Sequence, residues 1–363
     1  MTRSRYYLKF ADPSGQVFDV VDNFITFSYS KRLNDVGAMT IQMAGDYDGM
    51  ADLSTDNIVT VQREKSKDVF VTQYALDFGG VYRGSVSSTD RDGRDIITLY
   101  VADGMSFLAR TIVAFKVGIT DRSVWTNKKT DQVLKDLIAY NLNLSDVNRL
   151  LPLQPGASFS TSSYTPASAV NIDYNAAYKN LLTAMQEVAA IAGDYWYLEK
   201  ATGENDLFNW KCNFGTDRTS TMLFDLNRAN MLDTSLDKRR LLEPTKALVA
   251  GQGEGSARAT AVRTSANYGS ANHTENFVDA RDATTTAQLE ARGDARLAET
   301  EYKPKFIFRA SQSPGSQYGQ DYGLGDLIKA RYNGEIFTQR IVGVTVAVEE
   351  SGRETIELDI DDV

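Results

Sequence analysis

One cysteine, Cys212, and one histidine, His273, serve a chain of 363 residues. With a single thiol no disulfide can close within the chain and no cysteine cluster can hold zinc, so the fold stands on packing. With a single imidazole, a Ser-His-Asp triad or a thiol protease would have to use His273 as its base. That residue sits in NYGSANHTENF, a polar stretch expected to be a solvated loop, and Cys212, in WKCNF, fits a small core residue on an apolar strand. Positive charge is also short: 39 Lys and Arg against 48 Asp and Glu leave a formal charge of -9, which argues against a general electrostatic grip on nucleic acid. No run approaches 18 apolar residues, and MTRSRYYLKF lacks the apolar core and small-residue cleavage site of an export signal. Neither export nor stable membrane insertion is expected.

What is present is ordinary globular chemistry, 42% hydrophobic and 24% charged, enough for more than one buried core. The first third alternates apolar and polar residues with a period of two, the signature of half-buried strands. Asp12-Pro13-Ser14-Gly15 separates two strand-like runs, and Asp92-Gly93 lies between GGVYRGSVSS and DIITLYVAD, so each predicts a hairpin. Ile25, Phe27 and Tyr29, then Met39, Ile41 and Met43, place apolar side chains on one face of a strand. TDQVLKDLIAYNL changes period and predicts a helix over Val133, Leu134, Leu137 and Ile138, capped by Thr130. Residues 151–170 are rich in Pro, Ser and Thr and read as a connection. Tyr178, Leu181, Leu182, Met185, Val188 and Ala189 predict a second helix, stopped by Gly193. DYWYLEK and LFNWKCNF bracket ATGEND as a hairpin. TTTAQLEARGDARLAETEY predicts a polar helix weakened by Gly293, and the chain closes on a hairpin with Val344, Val346, Val348, Ile356, Leu358 and Ile360 on one face. Its other face carries Glu357, Asp359 and Asp361.

The fold class expected is a β-rich α+β chain with two β-barrel-like domains around an α+β middle. The boundaries read as a first barrel-like domain over 1–110, a small helix-containing domain and connection over 111–165, and an α+β domain over 166–240. A second barrel-like domain covers 241–363 with a helical excursion near 284–302. No fixed-period repeat is visible.

VAGQGEGSARATAV, residues 249 to 262, raises the question of a phosphate cradle. A Walker loop needs Gly-Lys-Ser/Thr running into a helix, and a dinucleotide fold needs a helix facing the pyrophosphate. Here KALVA precedes and ARATAVRT follows, both strand-like, and Glu254 would repel a phosphate. The stretch reads as a turn in which glycines permit unusual φ angles. Asp46, Asp48, Asp52 and Asp56 break the EF-hand spacing and read as a solvated loop. Tyr195, Trp196 and Tyr197 read as core rather than as a stacking platform. No catalytic, cofactor or metal residue is expected, although 48 acids leave a glycosidase carboxylate pair open.

GQGEG followed by Arg258, with YGLGDLIKARYNG (322 to 334) ahead of the terminal hairpin, resembles the tail-hub proteins of long-tailed bacteriophages, also called baseplate hub or tail-associated proteins. RLNDVGAMTIQM (32 to 43), GGVYRGSVSS leading to VADGMSFLARTIV (101 to 113), and LEARGDARLAE (289 to 299) are similar to further segments of that family, in the same order. The signature positions carried over are Gly84, Gly104, Gly251, Gly253, Gly255, Arg258, Gly325 and Asp326, all as structural turns. The resemblance implies a homotrimer whose two barrels per chain make a ring of six. That ring would join the hexameric tail tube or distal-tail ring to tip or receptor-binding proteins, beside the tape-measure protein, at the distal end of the virion tail. Phage DNA would pass through without specific binding. Many members carry a C-terminal enzymatic or receptor-binding extension; the sequence stops at Val363, so wall digestion and host recognition are expected in separate proteins. Glu357, Asp359 and Asp361 are expected on the lumen or its rim, or else merely on a solvated strand edge. The competing reading is a carbohydrate-active or carbohydrate-binding tail protein.

Overall fold

A computed structural model describes residues 6–64, 73–113, 123–143, 170–200, 208–240, 243–281, 283–302 and 305–361. The alternating first third forms β1 (Tyr6–Ala11), β2 (Val17–Val21), β3 (Thr26–Arg32), β4 (Ala38–Ala44), β5 (Ile58–Glu64), β6 (Tyr74–Thr89) and β7 (Asp95–Asp103). Turn chemistry sets their register: the Asp12 carboxylate accepts from the backbone N–H of Ser14 (2.8 Å) and Gln16 (3.0 Å) ahead of the β1–β2 pair. Asp90 does the same for Asp92 and Arg94, with Gly93 at φ 80. Phe27, Tyr29, Met39, Ile41 and Met43 are buried as the period predicts. Ile25 departs from it, half-buried just before β3 begins, because β3 enters the sheet only at Thr26.

The middle contains α1 (Met105–Arg110), β8 (Ser123–Lys129), α2 (Thr130–Ile138), β9 (Asn171–Ala176), α3 (Leu181–Ala192), β10 (Trp196–Lys200) and β11 (Phe208–Cys212). Val133, Leu134, Leu137 and Ile138 of α2 pack against Leu181, Met185 and Val188 of α3 in one core with Trp196 and Trp210. Thr130 is not the cap. It lies in the first turn, and its hydroxyl donates to Asp194 (2.7 Å), a buried acceptor that outcompetes capping. Tyr178 also stands apart from α3, exposed at φ 56; Asn180 caps that helix by accepting from the Thr183 N–H, and Gly193 ends it at φ 70. β10 and β11 form the anticipated antiparallel pair. Their ATGEND connection and residues 151–169 lie outside the described residues.

The last part supplies β12 (Leu223–Asp225), β13 (Met231–Asp237), β14 (Lys246–Ala250), β15 (Thr260–Thr264), β16 (Glu275–Asp279), α4 (Thr286–Glu299), β17 (Lys305–Ala310), β18 (Leu327–Tyr332), β19 (Glu335–Glu349) and β20 (Glu354–Asp361). β15, β14 and β16 make a small sheet with α4 on one face. α4 is held by a capping box between Thr285 and Gln288. Gly293 has a packing reason: a Cβ there would come within 2.6 Å of the Arg263 side chain and 2.9 Å of Val249. The other face of this sheet exposes Val262, Leu248 and Phe277 side by side in register.

The first and last β blocks join. Among the described strands one sheet runs β13-β17-β20-β19-β3-β4-β7-β6-β5-β1-β2, with β18 beside β19 and β12 beside β18. The seam is the antiparallel β19–β3 pair, with Gly343 opposite Arg32 and Glu349 opposite Thr26. A single core fills the interior on both sides of it, including Phe27 and Tyr29 from the first block and Val344, Val346, Ile356, Leu358 and Ile360 from the last.

Candidate functional site: the seam between the two β blocks

Beneath the seam the core holds charges. On β3 the inward series Phe27, Tyr29 continues to Lys31, whose ammonium donates to the Asp77 carboxylate (2.7 Å) and to the Asp77 carbonyl (3.0 Å) on β6. Tyr29 and Tyr318 donate their hydroxyls to the same carboxylate at 2.5 and 3.0 Å. Arg63 of β5 donates to the Tyr318 carbonyl (2.7 Å), lies over the Tyr318 ring, and pairs with Glu354 of β20. Both blocks contribute. Lys31, Asp77, Arg63 and Glu354 each keep no more than 13% of their side chain exposed, around a cavity of about 210 Å³ also lined by Gln312 and Gln317.

Burial alone would raise the Asp77 carboxyl, but the Lys31 and Arg63 charges and the hydrogen bonds from Lys31 and Tyr29 outweigh it and hold the group below its ordinary range. Burial, then the Asp77 charge, pushes the Tyr29 hydroxyl well up, and the same acts on Tyr318. These groups are locked in their ordinary charge states at neutral pH, which suits a fixed joint rather than proton transfer. Sequence reasoning placed Tyr29 on an inward strand face and passed over its charged partners. The available signal was Lys31, a charge two residues after Tyr29 on an inward strand face.

The signature turns are spread over the fold. Gly84 sits at a bulge in β6 with φ 148, and Gly104 precedes α1, where a Cβ would come within 2.5 Å of the Phe208 ring. Asp326 is buried behind Gly325 and accepts from the N–H groups of Thr216 (2.7 Å) and Gly323 (3.0 Å) and from Arg218 (2.7 Å). The glycine loop joins β14 to β15, with Gly253 and Gly255 at positive φ and Gly251 against Leu289. Arg258 closes it by donating to the carbonyls of Gly251 (2.8 Å) and Ala250 (2.9 Å) and pairing with Asp279. Its donors are turned into the loop.

The acidic strand face is divided. Glu357 is exposed opposite Arg309 of β17, whereas Asp359 and Asp361 are half-buried at a cleft of about 440 Å³ with Arg32, Asp194 and Glu299. β20 is paired on both sides, so these acids do not solubilise a sheet edge. His273 lies 2.9 Å from Glu275, which also receives Lys246 (2.7 Å); Lys246 first and His273 second hold Glu275 down at about 2. Burial pushes the Cys212 thiol up, away from the thiolate a nucleophile needs. Trp196 stacks on Trp210 inside the middle core. Among the described residues no cluster of three or more His, Cys, Asp or Glu could hold a metal ion, and no helix is long and apolar enough to cross a membrane.

Among curated proteins no sequence matches. Solved structures do. The 43 kDa tail protein of prophage MuSo2 from Shewanella oneidensis superposes with a TM-score of 0.58 at 13% identity, over 98% of both chains. A tail protein from Neisseria meningitidis MC58 gives 0.59 at 11%, over 98% of this chain and 96% of the other. The Escherichia coli c3393 protein, a type VI secretion component described as similar to T4 tail proteins gp27 and gp5, gives 0.50 at 10%, over 98% and 76%. The shared fold is that of phage tail and baseplate-like proteins. The Siphovirus ReqiPepy6 Gp37-like family model matches residues 8–360, and the chain therefore belongs to that family of phage tail proteins.

Proposed function

We propose that this tail protein is the structural hub of the tail tip, a homotrimeric ring joining the hexameric tube or distal-tail ring to the tip proteins. The observation that carries the reading is the seam: two β blocks share one sheet and one core, so each chain presents two rigid, adjacent units toward a six-fold tube. The buried Lys31–Asp77 and Arg63–Glu354 pairs fit a joint that must keep its angle. In this reading residues 1–110 hold one barrel-like unit, β12, β13 and β17 to β20 make the other, so that its strands begin before residue 241 and leave out β14 to β16, and the chain acts without hydrolysing a substrate. The tape-measure protein and the receptor-binding or tip proteins are the neighbours in the virion, at the distal end of the tail. DNA in transit meets a wall richer in acids than bases, with Glu357, Asp359 and Asp361 on the lumen or its rim, since basic walls would hold phosphates through counterion release. Light scattering and negative-stain images of the purified protein test this: a three-fold ring with an axial hole is expected. A monomer or dimer at every concentration would remove the reading.

A further inference from the structure

The large sheet contains a repeat that the sequence hides. In order across the sheet, β3-β4-β7-β6-β5-β1 corresponds to β13-β17-β20-β19-β18-β12, and the correspondence also keeps chain order. The halves differ in three places: β12 pairs parallel with β18 where β1 and β5 are antiparallel, β13 shifts register between Leu232 and Ser235 where β3 is regular, and β5 shifts against β6 between Val61 and Gln62 where β18 runs regularly along β19. The match holds residue by residue. β6 bulges between Tyr82 and Gly84, and β19 bulges between Ile341 and Gly343. From there Ser85 opposite Leu99 matches Val344 opposite Leu358, and Ser87 opposite Ile97 matches Val346 opposite Ile356. On the partner strand Ser28 and Tyr29 match Ser235 and Leu236, and SKR (30–32) matches DKR (237–239).

One element of the repeat is used in one half and idle in the other. The distal half of β19 has two neighbours, β20 and β3. Among the described residues the distal half of β6, Gly84–Thr89, pairs with β7 alone, because β5 leaves it at Val81. Among the described strands β13, the equivalent of β3, pairs with β17 alone and ends the sheet. Val344 and Val346 are buried, while Ser85 and Ser87 at the matching positions are exposed. Uncovered strand edges of this length are templates for another chain.

We infer that Gly84–Thr89 of one copy adds antiparallel to β13 of a second copy, reproducing between chains the seam that β19 and β3 form within one. The equivalence sets the register: Ser88 opposite Ser235, Ser87 opposite Leu236, and Val86 opposite Asp237. Each copy has one edge of each kind, so the contact is head-to-tail and propagates until a ring closes. That the ring closes at three copies rests on the hub reading above.

Cysteines at Ser88 and Ser235 in the full chain, under mild oxidation, test the register, with Ser28→Cys/Ala347→Cys as the matching pair inside one chain. Native Cys212 is buried and stays as it is. The expected result is a non-reducing ladder of covalent dimers and trimers, with neither single variant giving it. In parallel Val86→Asp, set against Asp237, weakens association by about tenfold or more, and Val86→Lys does not. If the internal pair closes and the protein assembles, yet Ser88→Cys/Ser235→Cys stays unlinked and Val86→Asp assembles normally, the edge pairing is wrong and the hub reading stands. If the protein is monomeric at every concentration, the hub reading falls first and takes this interface with it.

Discussion

The seam of the large sheet and the β14–β16 module both carry ion pairs, but in different surroundings. At the seam, Lys31–Asp77 and Arg63–Glu354 lie inside the fold among aromatic rings, and each charge has several partners from distant strands. In the module, Lys246–Glu275 and Arg263–Asp294 lie on an open surface and answer to local neighbours. Removing one member of a buried set strands the rest without water, whereas an exposed partner is simply rehydrated. The seam should therefore govern whether the two blocks hold together, and the module should tolerate change.

The largest effect is expected from Asp77→Ala, which leaves Lys31, Tyr29 and Tyr318 without their shared acceptor. A loss of about 3–5 kcal/mol in urea unfolding is expected. A loss below about 1 kcal/mol would break the contrast between the two regions. Next comes Arg258→Ala, a module residue whose charge is turned inward onto two backbone carbonyls of its own loop. It should cost about 1–3 kcal/mol, seen as faster proteolysis within 251–259 before global unfolding.

Two carboxyls outside the seam cluster should respond to pH with opposite sign. Asp103, buried at the end of β7, has its carboxyl raised to about 8, chiefly by burial, with the Gly37, Ser106 and Met105 backbone donors only partly opposing. Its contribution is complete below the unfolded value of about 3.9 and is lost as pH climbs through about 8. Thermal midpoints should fall toward alkaline pH, and Asp103→Asn should flatten that limb. Glu275 works oppositely: lowered to about 2, its contribution is present above the unfolded value of about 4.3 and disappears only as pH falls through about 2. The smallest effect belongs to Lys246→Ala, which removes an exposed partner of Glu275 and should leave the unfolding midpoint within experimental error. A clear drop would mean that the module's surface pairs matter more than their exposure implies.

Features set by neighbours in the chain were legible. The Asp12 and Asp90 turns, the Gly193 stop and the buried valine and isoleucine series of the terminal hairpin each depend on a few adjacent residues. The seam cluster was not legible, because Arg63 meets Tyr318 and Glu354 across 255 and 291 positions and no local pattern encodes that meeting. The hidden repeat escaped for a related reason. Its equivalent positions carry serine in one half and valine in the other, since one strand edge is covered within the chain and its counterpart is not.

By itself the sequence determined the strands and hairpin turns of the first third, the helices of the middle and the terminal hairpin, since periodicity and turn residues act over a few positions. Only the tertiary structure decided which strands are neighbours, that the two β blocks fuse through β19 and β3, and that four charges meet beneath that line. Strand pairing brings together residues hundreds of positions apart, and the low dielectric that gives their charges weight exists only once the core has closed.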